Sequence, residues 1–236
     1  MSEEEAKTPR VFIARHGETE WAKIGRFTGI SEIPLTAYGE QQVAGTAQIL
    51  VGPGKLIDAA KLACIFVSPR SRAQSTFELL FDESEKETLR TAGKVKTTEK
   101  LAEWGYGIYE GLKDGEIRAL RKERGLDGEK AWDIWKDGCQ EGETPQDVTI
   151  RLDSLIDEIH ALQAPNMRSE SPSDVVLVAH GHILRAFVKR WLKYPMDFSL
   201  SMMLEPGGVG ILSYQEHDIN QPAFFVGMGF PLSKAS

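Results

Sequence analysis

Arg15, His16 and Gly17 stand together directly after the apolar run Val11-Phe12-Ile13-Ala14. Two further clusters follow apolar runs in the same way. Ser68-Pro69-Arg70 follows Cys64-Ile65-Phe66-Val67, and His180-Gly181-His182 follows Val175-Val176-Leu177-Val178-Ala179. A guanidinium is always charged and offers forked donors that match phosphate oxygens. A histidine is neutral near physiological pH, so a ring nitrogen can attack as a nucleophile, which lysine and arginine cannot do there. A phosphoryl group in transfer spreads negative charge over its equatorial oxygens. The set therefore suits phosphoryl transfer, with His16 as nucleophile, Arg15 and Arg70 as phosphate donors, and His180 as a further donor. Gly181 is placed to open a helix whose N-terminal amides favour an anion. Each cluster alone is ordinary: a turn, a helix start, a histidine closing a strand. The signal is their joint occurrence. Such donors serve a dianionic ligand, and no metal and no cofactor is expected.

A leaving alkoxide needs a proton, and an attacking water must later lose one. One carboxylate can do both if partial burial raises its pKa. The segment Leu101 to Gly111 carries two candidates, Glu103 and Glu110; Glu110 with Gly111 suits capping of the following helix. Tyr106 reads equally as a substrate contact or as packing. Specificity is expected from an insertion at about 112–143. Within it Trp132 and Trp135 lie three apart, on one face if helical. They form either a small core that holds the insertion down or an apolar wall for a sugar chain. Glu143 and Thr144 are expected to close the pocket from another side. His182 suits a structural role as well as a substrate contact, and Arg72 reads as a structural ion-pair partner.

The elements that must position these residues follow from the same runs. Strand, polar turn and helix recur, which is the α/β pattern, and ligands in such sheets bind beyond the carboxyl ends of the strands. Helices are predicted over 36–50, 69–81, 115–124 and 144–162, the last with Val148, Leu152, Leu155, Ile156, Ile159 and Leu162 on one face. Residues 164–173 read as a surface loop. Two late strands, 209–214 and 223–226, are expected antiparallel on one sheet edge. No internal repeat or linker divides the chain, so 1–236 reads as a single domain, frayed at 1–8 and 233–236.

The chain has 236 residues, 41% hydrophobic and 27% charged, with a net charge of −7. That acidic balance argues against nucleic-acid or anionic-membrane partners. The expected partner is a small phosphorylated sugar, and self-association stays open. Cys64 and Cys139 have no metal-ligand spacing and suit a reducing compartment. The start Met1-Ser2-Glu3-Glu4-Glu5 lacks the pattern of a signal peptide, and no run approaches a membrane span. A cytoplasmic location is expected.

The three clusters together, Arg15-His16-Gly17-Glu18-Thr19, Ser68 to Thr76 and Ala179-His180-Gly181-His182, resemble the histidine phosphatase superfamily over essentially the whole chain. The resemblance implies a three-layer α/β/α fold with a mostly parallel central sheet, as in phosphoglycerate mutases. It implies phosphorylation of His16, phosphate binding by Arg15, Arg70 and His180, acid/base work by Glu103, and phosphate contacts from the loop at Thr28 and Gly29. The segments Gly25 to Gly29, Leu35 to Glu40, Glu103 to Gly107, Leu120 to Asp127, Trp132 to Cys139 and Gly142 to Thr144 are similar to the fungal sedoheptulose-1,7-bisphosphatase branch. Pentulose- and pentitol-phosphate phosphatases, including those for ribulose-5-phosphate, share these features. The mutase pattern is broken in two places. Ala22 stands where mutases carry asparagine, and the lid has Arg118, Arg121, Lys122 and Arg124 without an adjacent arginine pair. Water is therefore expected as the phosphoryl acceptor, with a lid cation holding a distal phosphate. A mutase or a protein-directed family member ranks below.

Overall fold

The computed structural model describes residues 8–127, 130–169 and 171–227. Eleven of the twelve residues given as frayed, with Gly128, Glu129 and Glu170, thus lie outside the described residues; Thr8 is described and its hydroxyl meets His217 Nδ1 at 2.8 Å.

The strands are β1 (Val11–Arg15), β2 (Leu62–Val67), β3 (Val95–Thr97), β4 (Asp174–Ala179), β5 (Val209–Tyr214) and β6 (Pro222–Phe224). They form one sheet in the order β3-β2-β4-β1-β5-β6. The pairs β2·β3, β2·β4 and β1·β4 are parallel. The late pair β5 and β6 runs antiparallel on the β1 side, as expected. The helices are α1 (Glu20–Lys23), α2 (Ala37–Leu50), α3 (Ser71–Leu80), α4 (Glu83–Thr91), α5 (Asp114–Glu123), α6 (Ile134–Asp137), α7 (Pro145–Gln163) and α8 (Gly181–Trp191).

Successive strand side chains point to opposite faces, and both faces are covered. Val11, Ile13, Phe66 and Leu177 pack with Leu152, Leu155 and Ile159 of α7 and with Leu184 and Phe187 of α8. Phe12, Ala14, Ile65 and Val178 pack with Val43 of α2, Ala73 and Phe77 of α3 and Leu89 of α4. This is the three-layer α/β/α arrangement. Each fully buried Val, Leu, Ile or Phe contributes roughly 1.5–3 kcal/mol, so the strand ends are held firmly enough to carry charged residues.

Helix ends follow local chemistry. Thr36 caps α2 by accepting from the Gly39 amide, and Thr144 with Asp147 forms a capping box on α7, followed by Pro145 at the first turn. The loop after β1 lies hard against α2. A Cβ on Gly17 would stand 2.4 Å from the Gly39 carbonyl oxygen, and one on Gly39 would stand 2.2 Å from that of Glu18. Only glycine at both positions allows this approach, which seats His16 beside the helix.

Helix α4 and strand β3 are among the elements that were not anticipated, with the one-turn helices α1 and α6. Helix α4 buries only Lys86 and Leu89, so it shows little apolar periodicity. Strand β3 has three residues on a sheet edge. No described helix is long and apolar enough to cross a membrane.

Candidate active site

Beyond the carboxyl ends of β1 and β4 lies a cavity of about 380 Å³, lined by Arg15, His16, Thr28, Glu103, Tyr106, Gly181 and His182 among others. His16 is 6% exposed. Its Nδ1 lies 2.7 Å from the Gly17 carbonyl oxygen, which can only accept, so Nδ1 carries the ring proton. Nε2 therefore keeps its lone pair. Burial, with the charges of Arg72 and Arg15, pushes the ring down to about 3 against the pull of the Gly17 carbonyl. A neutral imidazole with a bare Nε2 is the form a nucleophile needs.

The supporting shell is built from β2, α3 and β4. His180 is fully buried, its ring centroid 5.0 Å from that of His16. Arg72 Nε donates to His180 Nδ1 at 3.1 Å, so Nε2 carries the proton and donates to Ser68 Oγ at 2.7 Å. Burial, then Arg72 and His16, hold His180 well below the ordinary histidine range. Arg72 is not the ion-pair residue the sequence suggested. It is 1% exposed, and besides His180 it donates to the carbonyls of Ser31, Thr28 and Gly29. It orients His180 and ties the 28–31 loop to α3.

Arg15 NH1 donates to the Leu204 carbonyl at 2.8 Å, while its buried Nε has no partner among the described residues. Arg70 also keeps a buried, unpartnered Nε, but its guanidinium faces Glu32 and Glu99 at 3.7 Å each and lies outside the cavity lining. Glu103 is 8% exposed and fixed by three amides. Its Oε1 accepts from Trp104 and Ile183, both at 2.9 Å, and its Oε2 accepts from His182 at 3.2 Å. The first-turn amides of α8 thus hold Glu103, where the sequence had reserved them, through Gly181, for a bound anion.

Several candidates stand elsewhere. Gly29 lies outside the lining. Its amide donates to Glu110, at 3.0 Å to each oxygen, so Glu110 caps the 29–31 loop and not the following helix. Trp132 and Trp135 do not line the cavity. Trp132 is 7% exposed, donates to the Gly138 carbonyl and packs edge-on against Tyr109. The small-core reading of this pair is the one their contacts follow. Glu143 binds Arg151 at 2.7 Å and accepts from the Gly105 amide at 2.7 Å, and Thr144 is spent as a helix cap. Both brace the loop that carries Glu103 and form no pocket wall. Tyr106 and His182 do line the cavity and meet each other, hydroxyl to Nδ1, at 2.7 Å.

The lid cations named in the sequence are also elsewhere. Arg118 pairs with Asp114, Arg121 with Asp127 and the Tyr109 hydroxyl, and Arg124 with Gln140. None of them, nor Lys122, lines the cavity. Its further cations are Arg26 and Arg185, which sequence reading missed. Arg185 was legible in principle: it lies four residues after Gly181, on the same helix face. Its NH2 donates to the Met202 carbonyl at 3.0 Å and its buried Nε has no partner among the described residues. Arg26 is held by the Gly111 carbonyl and by Glu116.

The buried His16 and His180, with the half-buried His182, make stability depend on pH. Burial depresses His16, His180 and His182 below their unfolded values near 6.5. Below that pH the unfolded chain takes up protons that the folded one refuses. Their contribution is present above pH 6.5 and is lost as pH falls towards the folded values, by up to about 1.4 kcal/mol per pH unit for each ring. Urea unfolding at about pH 7 and pH 5, where carboxylates remain mostly ionised, should show a clear fall in stability. Equal midpoints would contradict the neutral-histidine arrangement.

The pattern of the histidine phosphatase superfamily, branch 1, matches residues 11–223. The chain is 36% identical to sedoheptulose 1,7-bisphosphatase of Saccharomyces cerevisiae, over 92% of this chain and 91% of that one. It is 34% identical to an acid phosphatase of Mycobacterium tuberculosis, over 94% of each. A solved structure of a Mycobacterium tuberculosis open reading frame product superposes with a TM-score of 0.68 at 29% identity, over 93% of this chain and 97% of that one. With a histidine held neutral after the first strand, an arginine before it and a buried glutamate across the cavity, this chain belongs to the histidine phosphatase superfamily.

Proposed function

We propose that this phosphatase hydrolyses a sugar phosphate without a metal, through a phosphohistidine on His16, and that its preferred substrate is sedoheptulose-1,7-bisphosphate. The observation that carries the mechanism is the 2.7 Å contact of His16 Nδ1 with the Gly17 carbonyl oxygen, which assigns the ring proton to Nδ1 and leaves Nε2 free in a cavity that also holds Arg15 and Glu103. His16 Nε2 attacks phosphorus, the bond to the sugar oxygen breaks, and the leaving oxygen takes a proton from the Glu103 carboxyl. Water then attacks the phosphohistidine and returns a proton to Glu103, which frees phosphate and His16. Arg15 offers its unpartnered Nε to the phosphoryl oxygens; Arg70 joins it only by turning from Glu32 and Glu99, and His180, whose nitrogens are taken by Arg72 and Ser68, only by exchanging Ser68 Oγ for a phosphoryl oxygen. These donors stabilise developing charge in a low-dielectric site.

The substrate class rests on the yeast relative, whose name states sedoheptulose 1,7-bisphosphate as its substrate, and on the cavity's charge. Arg185 and Arg26 are its cations beyond Arg15, and Arg185 keeps a free donor. They replace the lid cations as the holders of a distal phosphate. Ala22 lines the cavity and brings no amide group, which favours water over a second phosphoglycerate as acceptor.

A phosphate-release screen over sugar mono- and bisphosphates, run with EDTA present, tests this. Full activity in EDTA is expected, with vanadate as a competitor. Bisphosphates should exceed monophosphates in kcat/KM by roughly one to two decades, the worth of one charge-assisted hydrogen bond. Arg185→Met should remove that advantage while sparing monophosphates. Equal rates on both classes would favour a pentulose monophosphate substrate. Restoration by Mg²⁺ after loss in EDTA would contradict the mechanism, and isomerisation of 3-phosphoglycerate faster than any hydrolysis would contradict the phosphatase assignment.

A further inference from the structure

Lys189 lies on α8 in the apolar interior and is 1% exposed. Lysine is almost never buried to that degree without a specific partner. Its Nζ donates to the Met196 carbonyl at 2.8 Å and sits 3.5 Å from the centroid of the Trp135 ring. A desolvated ammonium over tryptophan is the strong form of the cation–π contact.

Trp135 belongs to α6, within the insertion. Its ring meets Trp104 edge-on at 5.6 Å and His182 at 5.7 Å. His182 in turn stacks on Phe27 at 5.4 Å and meets the Tyr106 hydroxyl at 2.7 Å. Phe27, Tyr106 and His182 line the cavity. A packed path thus runs from a buried charge on α8, through the insertion, to one wall of the site.

We propose that Lys189 is a positioning residue: its ammonium pins Trp135 and thereby fixes the wall of His182, Tyr106 and Phe27 against which the substrate's leaving group sits. The proposal rests on the phosphatase reading only in taking that wall to face the leaving group. The charge that does the pinning is titratable. Burial pushes Lys189 down to about 8, helped by Arg185 on its own helix and opposed by Asp133 and Asp197. His182, behind the Trp135 ring, is itself held below its ordinary range by burial. Above about pH 8 the neutral amine no longer attracts the ring, and the wall loosens.

Lys189→Met and Lys189→Arg test this with p-nitrophenyl phosphate as substrate and inorganic phosphate as inhibitor. The inhibitor meets the donors around His16 but lacks a leaving group. Lys189→Met should raise KM roughly fivefold or more, with kcat and the phosphate Ki kept within about twofold. Wild-type KM should rise between about pH 7 and pH 9; Lys189→Arg, always charged, should keep the low KM and lose that rise. KM and Ki moving together, neither moving, or an unchanged rise in Lys189→Arg would each overturn the proposal. Should Lys189→Met not fold, the arginine variant decides. Trp135 emission, read as the difference from a Trp135→Phe protein, should change through about pH 8 in the wild type and not in Lys189→Arg. Its absence would overturn the pinning even if no turnover were found, whereas absent turnover alone would count against the phosphatase reading.

Discussion

His16→Ala is expected to fold and to lose turnover by about 10⁴-fold or more, the scale seen when a covalent nucleophile is removed. The fold should survive because the His16 ring bonds only to the carbonyl of its own neighbour, Gly17. The parts that seat the loop, Gly17 against Gly39 and the His16 amide on the Ala179 carbonyl, belong to the backbone. Arg15 and Glu103 remain in the variant, so a mechanism in which water attacks the substrate directly would retain much of its rate. Steady-state assays beside urea unfolding separate the two: substantial turnover by a folded His16→Ala protein would contradict covalent catalysis.

The next largest effect should come from Glu103→Gln. General acid–base catalysis is worth about 10²–10⁴-fold, and kcat on a sugar phosphate should fall by that range. The substitution disturbs the structure little. The amide oxygen can keep the two 2.9 Å bonds from Trp104 and Ile183, while the amide nitrogen replaces the oxygen that accepts only the longer 3.2 Å contact from His182. An activated leaving group needs no proton in the first step, so the loss on p-nitrophenyl phosphate should be smaller. Equal losses on both substrates would assign Glu103 a purely structural part, as the clamp at the start of α8.

The sequence disclosed those parts of the site that follow buried strands. Val11–Ala14, Cys64–Val67 and Val175–Ala179 are short apolar runs, and each must end where the chain returns to polar surroundings, so Arg15, Arg70 and His180 stand at the carboxyl end of the parallel strands, although of the three only Arg15 lines the cavity. Glu103 was legible as one of two carboxylates, but the reason for its position was not. That reason is a set of three amides, two from the first turn of α8, 79 and 80 residues away in sequence. Contacts of that separation leave no local pattern.

The insertion was the least legible segment. Tryptophans three apart announce a shared face only if the segment is helical; α6 begins at Ile134, so Trp132 packs on Phe27 and Tyr109 while Trp135 lies beneath a lysine from α8. Cations in the lid looked like substrate anchors because sequence shows a charge and hides its partner. Arg118 and Arg121 are bound to Asp114 and Asp127 in the same segment. Arg185 was overlooked because it sits inside an amphipathic helix, where a charge is ordinarily a solvated face.

The central claim, that phosphate passes through His16 Nε2, is tested most directly by rapid quenching of the enzyme with ³²P-labelled substrate, followed by peptide mapping. Acid-labile, base-stable label is expected on the peptide carrying His16 and none on the His16→Ala protein. Turnover with no trapped label at any quench time, or label on another residue, would contradict it.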